Sequence, residues 1–237
     1  MKYFFTILVI TALAGCTTLS TVDTQSRNGS YYQSSQPTTD TQESLFSSDA
    51  VLSDQEISRI LTYQLKLPNQ SRLAILKLSQ DNLWRSYSND FNQLTDSMAA
   101  DFISELRSSP RIYDASFLPS LLTPEVRTVP YLREAAARYQ ADLLLAYRTQ
   151  CQTFQKYRVI NPNITKAYCT VETVMLDVRT GIVPFTAVST SEFSATKQKD
   201  DINFSETIKR AELKAVSESL AEVAASLKKF LKSAAAL

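Results

Sequence analysis

Residues 143–194, LLLAYRTQCQTFQKYRVINPNITKAYCTVETVMLDVRTGIVPFTAVSTSEFS, decide the fold. Three extended runs follow one another here: Leu143 to Gln155, Thr165 to Val178 and Ile182 to Ser194. They are rich in β-branched and aromatic residues and are separated by turn chemistry. Asn161-Pro162-Asn163 marks the first turn and Asp177-Val178-Arg179-Thr180-Gly181 the second, with Gly181 able to take a positive φ. The stretch therefore predicts a three-stranded meander. Val171 and Met175 stand on one face of it, Val174 and Leu176 on the other, and both sets need cover.

Downstream, Phe204 to Lys232 predicts a long helix. Leu213, Val216, Leu220, Val223, Leu227 and Phe230 recur at alternating steps of three and four. Such a seam suits a coiled coil, but the uncovered meander face makes packing across the sheet the expectation. Upstream, Ser53-Asp54-Gln55-Glu56 is a capping box, and Ile57, Ile60, Leu61 and Leu65 follow at helical spacing until Pro68-Asn69. A strand is expected over Arg72 to Leu78, with Leu73, Ile75 and Lys77 alternating against Ala74, Leu76 and Leu78. A helix from about Asp90 to Leu106 ends at Ser109-Pro110. A strand over Ile112 to Leu118 and a loop over Pro119 to Thr128 come next. Pro130 opens another helix, whose apolar face is Leu132, Ala135, Ala136 and Tyr139. The expected fold is α+β: one domain over residues 51–237, a helix then β-α-β-α-β-β-β-α, with helices packed on a mixed sheet.

The amino end has another character. Lys2 precedes the apolar run Tyr3 to Ala12, and Leu13-Ala14-Gly15-Cys16 closes it. This is the pattern of a bacterial lipoprotein signal over residues 1–15: cleavage after the small residues leaves Cys16 as a lipidated first residue. Thr17, rather than Asp, follows the cysteine, which points to sorting to the outer membrane, facing the periplasm. Of the 34 residues from Thr17 to Ala50, 20 are Ser, Thr, Asn or Gln. Residues 16–50 are thus expected to form a disordered tether, reaching roughly 30 Å as a flexible coil. Tyr31-Tyr32 and Leu45-Phe46 are its only aromatic spots, expected to be solvent-exposed.

Absences exclude several chemistries. The chain has no histidine, and Gly181 is the one glycine beyond the leader, Gly15 and Gly29 being the other two. His-based triads, His-ligated zinc and glycine-rich phosphate loops are not available to it. No cofactor or nucleotide is expected. Without Lys2, 24 basic side chains balance 24 acidic ones. Lys228, Lys229 and Lys232 are the only basic cluster, placed where cations complement a helix carboxy terminus. Nucleic acid is not an expected partner.

With Cys16 acylated, Cys151 and Cys169 remain. Both lie at odd positions of adjacent strands, hence on one face. A hairpin centred near Ile160 sets them opposite each other, whereas one centred on Pro162 offsets them by about two pairs. In an oxidising periplasm a structural disulfide is expected, against two free buried thiols. The pair lacks the C-x-x-C spacing of a redox site.

Two segments carry a family resemblance. One is the run Tyr131-Leu132-Arg133-Glu134-Ala135-Ala136-Ala137-Arg138-Tyr139-Gln140-Ala141-Asp142-Leu143-Leu144-Leu145, and the other is Leu176-Asp177-Val178-Arg179-Thr180-Gly181. Together they resemble the bacterial rhombotarget lipoprotein family. More distantly they are similar to periplasmic lipoprotein domains of the curli-secretion and penicillin-binding-protein-activator kind, and to the amino-terminal domain of the Tol propeller protein. The resemblance spans about Leu118 to Phe230 and implies strand-edge and turn roles for Asp142 and Asp177. It transfers no catalytic residue. Lys232 to Leu237 offers neither a glycine pair nor a hydrophobic tail, so the rhomboid processing that the family name suggests is not expected.

These features predict a membrane-anchored periplasmic lipoprotein acting as a non-catalytic adaptor. Its partner would be a periplasmic or outer-membrane protein of envelope assembly or secretion. A self-assembling structural or secretion subunit is the alternative. An enzyme is less favoured: Asp101 and Glu105, one helical turn apart, are an acid/base candidate but read better as a solvated face. Trp84, Arg85 and Tyr87 have the composition of an interface hot spot.

Overall fold

The computed structural model describes residues 32–35, 44–46, 52–78, 89–158 and 160–236. The lipobox residues Leu13, Ala14, Gly15 and Cys16, and the patch Trp84, Arg85 and Tyr87, lie outside them.

The elements run in chain order β1 (Tyr32–Ser35), α1 (Asp54–Thr62), β2 (Lys66–Leu67), β3 (Ser71–Lys77), α2 (Asn89–Arg107), β4 (Ile112–Phe117) and α3 (Val129–Arg138). They continue with β5 (Leu143–Lys156), β6 (Ile164–Asp177), β7 (Phe185–Thr196), α4 (Phe204–Ser233) and β8 (Ala235–Ala236). The expected α+β order is present, and the three meander strands form over nearly the expected bounds. The expected loop after β4 contains a single 3₁₀ turn, Ser120–Leu122.

The main sheet has the order β4-β3-β5-β6-β7. β3 pairs in parallel with β4 and β5, while β5, β6 and β7 are antiparallel. The sheet is therefore mixed, with crossover helices on its parallel side and hairpins on the other. The helices divide between the faces. Phe102 and Leu106 of α2 and the α4 seam pack with Leu73, Ile75, Leu143, Leu145, Val171 and Met175. On the other face, Leu132, Ala135 and Ala136 of α3 pack with Ala74, Leu76, Leu144, Leu176 and the half-buried Val174. β3 is thus apolar on both sides, as a central parallel strand requires.

α4 lies on the sheet as expected. Leu213, Val216, Leu220, Val223 and Leu227 are buried, and each such side chain contributes about 1.5–3 kcal/mol on leaving water. Phe230 sits half-buried against Phe185, ring centroids 5.4 Å apart. Buried Ser219 donates to the Cys169 carbonyl at 3.0 Å, fixing α4 along β6. Asn203 caps the helix by accepting from the Glu206 amide at 3.2 Å. Before it, Asp201 accepts from the Gln198 amide at 2.8 Å and from the Thr207 hydroxyl at 2.7 Å, and also from Arg210. Burial pushes the Asp201 carboxyl up, but these three donors outweigh it and hold it below the ordinary carboxylate value.

Two expectations need correction. Tyr32–Ser35 pairs antiparallel with the outer half of β5, from Tyr32↔Lys156 to Ser35↔Thr153. The tether reading fails for these four residues. Their polar composition hides a strand whose partner is the free backbone edge of β5 beyond β3. Leu45 is not an exposed tether residue either: it is half-buried against the α3 core, and its carbonyl accepts from the Val129 amide at 2.8 Å. Phe46 beside it is exposed.

The α1 capping box forms as read, with Ser53 accepting from Glu56 and the Glu56 side chain accepting from the Ser53 amide. Its apolar face, however, is not buried: Ile57 is 42% and Leu61 80% exposed. The helix also stops at Thr62, before Leu65, because Lys66–Leu67 pairs in parallel with Ala235–Ala236 beyond α4.

Candidate functional site

Where β3, β4 and β5 begin, the two segments that carry the family resemblance meet in one network. Arg72, at the start of β3, donates from its amide to Asp142 Oδ2 at 3.0 Å. Its Nε donates to Asp114 Oδ2 at 3.0 Å and its Nη1 to the Tyr139 carbonyl at 2.8 Å, with the guanidinium 4.2 Å from the Tyr139 ring centre. Arg107 of α2 donates to the other Asp114 oxygen at 2.6 Å. Burial raises the Asp114 carboxyl, and the Arg107 and Arg72 hydrogen bonds overcome it, leaving it below the ordinary range. The hydroxyls of Tyr139 and Ser116 lie 2.8 Å apart.

The second segment closes on the first. Arg179 Nη2 donates to Asp142 Oδ1 at 2.5 Å. Asp177 accepts from the Arg179 amide at 3.2 Å and the Thr180 hydroxyl at 2.5 Å, and its carbonyl accepts from the Gly181 amide at 2.8 Å. Gly181 takes φ +77°, the left-handed conformation that glycine adopts without strain. Arg133, from α3, donates to the Val178 carbonyl at 3.0 Å and the Arg179 carbonyl at 2.7 Å. Asp142 directly precedes β5, and Asp177 is the last residue of β6. Chemically this network joins α3, β3, β5 and the β6–β7 turn; its acidic groups are engaged by arginines and backbone donors.

The other charged candidate is also engaged. Glu105 pairs with Lys228, which also donates to the Ser108 hydroxyl at 3.2 Å, tying α2 to α4. Asp101, one turn earlier, is exposed. Lys228 thus bridges two helices, and Lys232 stands in the last turn of α4, where the macrodipole favours a cation.

The cysteines meet. Every β5–β6 pair, from Leu143↔Asp177 to Lys156↔Ile164, is centred on residue 160, which sets Cys151 directly opposite Cys169. They are disulfide-bonded, with Cα atoms 4.1 Å apart, on the face beneath α4. The register near Ile160, not the one on Pro162, is the one adopted.

Sequence reading did not single out the open face of the meander. Beyond α3, the even-numbered residues of β5, β6 and β7 form cross-strand rows: Arg148–Glu172–Val188, Gln150–Thr170–Thr190, Gln152–Tyr168–Glu192 and Phe154–Lys166–Ser194. Gln150, Gln152, Phe154, Tyr168, Thr170 and Thr190 line a shallow groove of about 380 Å³. Its charges are internally matched. Arg148 pairs with Glu172 at 2.5 Å and Lys166 with Glu192 at 2.7 Å, while Lys166 stands 4.9 Å from the Tyr168 ring centre. Glu192 raises the Lys166 ammonium above its ordinary value, and Lys166 lowers Glu192. Phe154 and Tyr168 meet edge to face at 5.8 Å. The period-two polar set along three adjacent strands was the available signal.

No family model matches the chain, and no curated protein matches it. Among solved structures it is similar to a Xanthomonas campestris protein of the DUF330 family, at 12% identity and a TM-score of 0.39 over 72% of this chain and 94% of that one. The PelC dodecamer of Paraburkholderia phytofirmans is similar at 18% identity and a TM-score of 0.32, covering 68% and 92%. Lipoprotein GNA1162 of Neisseria meningitidis follows at 13% and 0.30, covering 63% and 99%. These likenesses are remote. No helix among the described residues is long and apolar enough to cross a membrane.

Proposed function

We propose that this chain is a lipid-anchored periplasmic adaptor of the rhombotarget lipoprotein type, held to the outer membrane through acylated Cys16 and binding a protein of envelope assembly or secretion without catalysing a reaction. The observation that carries the binding role is the open meander face. A rigid, disulfide-braced sheet presents Gln150, Gln152, Tyr168, Thr170 and Thr190 beside ion pairs that are already matched. Neutral amides and hydroxyls with a Tyr ring suit a protein surface, and no charge has to be stripped of its partner on docking.

The test is crosslinking and pull-down of the full chain from its native membrane, comparing wild type with Gln152→Ala/Tyr168→Ala. The adaptor reading expects one partner, captured by wild type and lost from the double variant while the melting transition stays in place. Equal capture by both proteins would remove the open face from the binding role.

A further inference from the structure

We propose that β7 is a self-pairing edge, through which two copies of this chain join antiparallel across a two-fold axis at Ser189. The inference goes beyond the adaptor reading and does not depend on it.

The two ends of the main sheet are finished differently. β4 is six residues long, and its register against β3 shifts at Tyr113, between Ser71↔Ile112 and Arg72↔Asp114. Pro110 and Pro119 flank it, and Asp114 sits in it. Shortness, a bulge, prolines and a charge are the devices by which an edge strand resists pairing. β7 is neither short nor bulged, although Pro184 directly precedes it. It runs for twelve residues in unbroken register with β6, contains no proline or lysine, and its one charge, Glu192, is matched by Lys166. Among the described residues no strand pairs with its outer edge.

The occupant follows from the β7 sequence, Phe-Thr-Ala-Val-Ser-Thr-Ser-Glu-Phe-Ser-Ala-Thr. On the helix side the order is Phe185, Ala187, Ser189, Ser191, Phe193, nearly symmetric about Ser189. Antiparallel pairing centred there sets Phe185 of one copy opposite Phe193 of the other, and Ala187 opposite Ser191. On the open face Val188, 71% exposed, meets Thr190, and Thr186 meets Glu192. Aromatic and β-branched residues therefore face each other, and no charge on the strand opposes its own copy. One like-charge approach remains. Ser189 donates to Glu222 of α4 at 2.5 Å, so the two Glu222 carboxylates come near the axis, and added salt is expected to tighten the dimer.

Sedimentation of the full chain in a density-matched mild detergent tests the pairing. Wild type should form a two-chain species. Val188→Lys/Thr190→Lys, which opposes lysines across the axis, should weaken it at least tenfold. Val188→Lys/Thr190→Glu should restore it, because each lysine then meets a glutamate. A register test does not depend on those variants folding equally well. Val188→Cys protein mixed with Thr190→Cys protein should form an intermolecular disulfide, and either alone should form far less. A monomeric wild type, a lysine pair without effect, or crosslinking indifferent to position would overturn the proposal.

Discussion

Arg133 and Gly181 are fitted to each other: a Cβ on Gly181 would lie 2.9 Å from Arg133 Cδ, while Arg133 holds two carbonyls of the turn that Gly181 ends. Gly181→Ala therefore meets two obstacles, the φ of +77° and the arginine side chain. The conformational part alone should cost about 1–2 kcal/mol. In an Arg133→Ala background the steric part disappears, so the double variant should be less destabilised than the sum of the single ones. Urea unfolding of the four proteins measures this coupling. Strict additivity would contradict the fit.

The disulfide should stabilise the domain. The bridge links residues 18 apart, and reducing it should cost roughly 2–4 kcal/mol. Thiol titration of denatured, non-reduced protein exported to the periplasm checks it. No free Cys151 or Cys169 is expected, and two reactive thiols per molecule would refute the bridge.

Leu220, 2% exposed on the sheet-facing side of α4, is the test of the helix as core. Leu220→Asp places an unpaired carboxylate in an apolar site and should cost more than about 3 kcal/mol or abolish cooperative unfolding. A melting transition close to wild type would return α4 to a detachable arm.

Asp201 predicts the acid limb of stability. Its carboxyl lies below the ordinary value in the folded state, so its contribution is complete above the unfolded value, about 3.9, and is lost as pH falls through the lower folded value. Asp201→Asn should lower the melting temperature near neutral pH and flatten its fall below about pH 4. An acid limb as steep as in wild type would rule Asp201 out as its source.

Much of the fold is legible because local and tertiary signals agree. Ser53 and Glu56 cap α1, Gly181 takes the positive φ its turn requires, and the α4 seam from Leu213 to Leu227 faces the meander it was expected to cover. Other features depend on interactions that periodicity does not encode. The spacing of Cys151 and Cys169 allowed two registers, and only the full ladder places its centre at residue 160. Tyr32–Ser35 lacks apolar alternation and is a strand because β5 outruns β3. Ile57 and Leu61 have helical spacing yet stay exposed, because the period marks an apolar face and not what covers it. The open face was least legible, because its residues are ordinary polar strand residues until three strands align them.

The functional account stands on acylation of Cys16, and metabolic labelling with radioactive palmitate tests it most directly. Wild type should carry the label and fractionate with the outer membrane. Cys16→Ser should carry none and remain an uncleaved or mislocalised precursor. Label persisting on the Cys16→Ser protein would contradict the account.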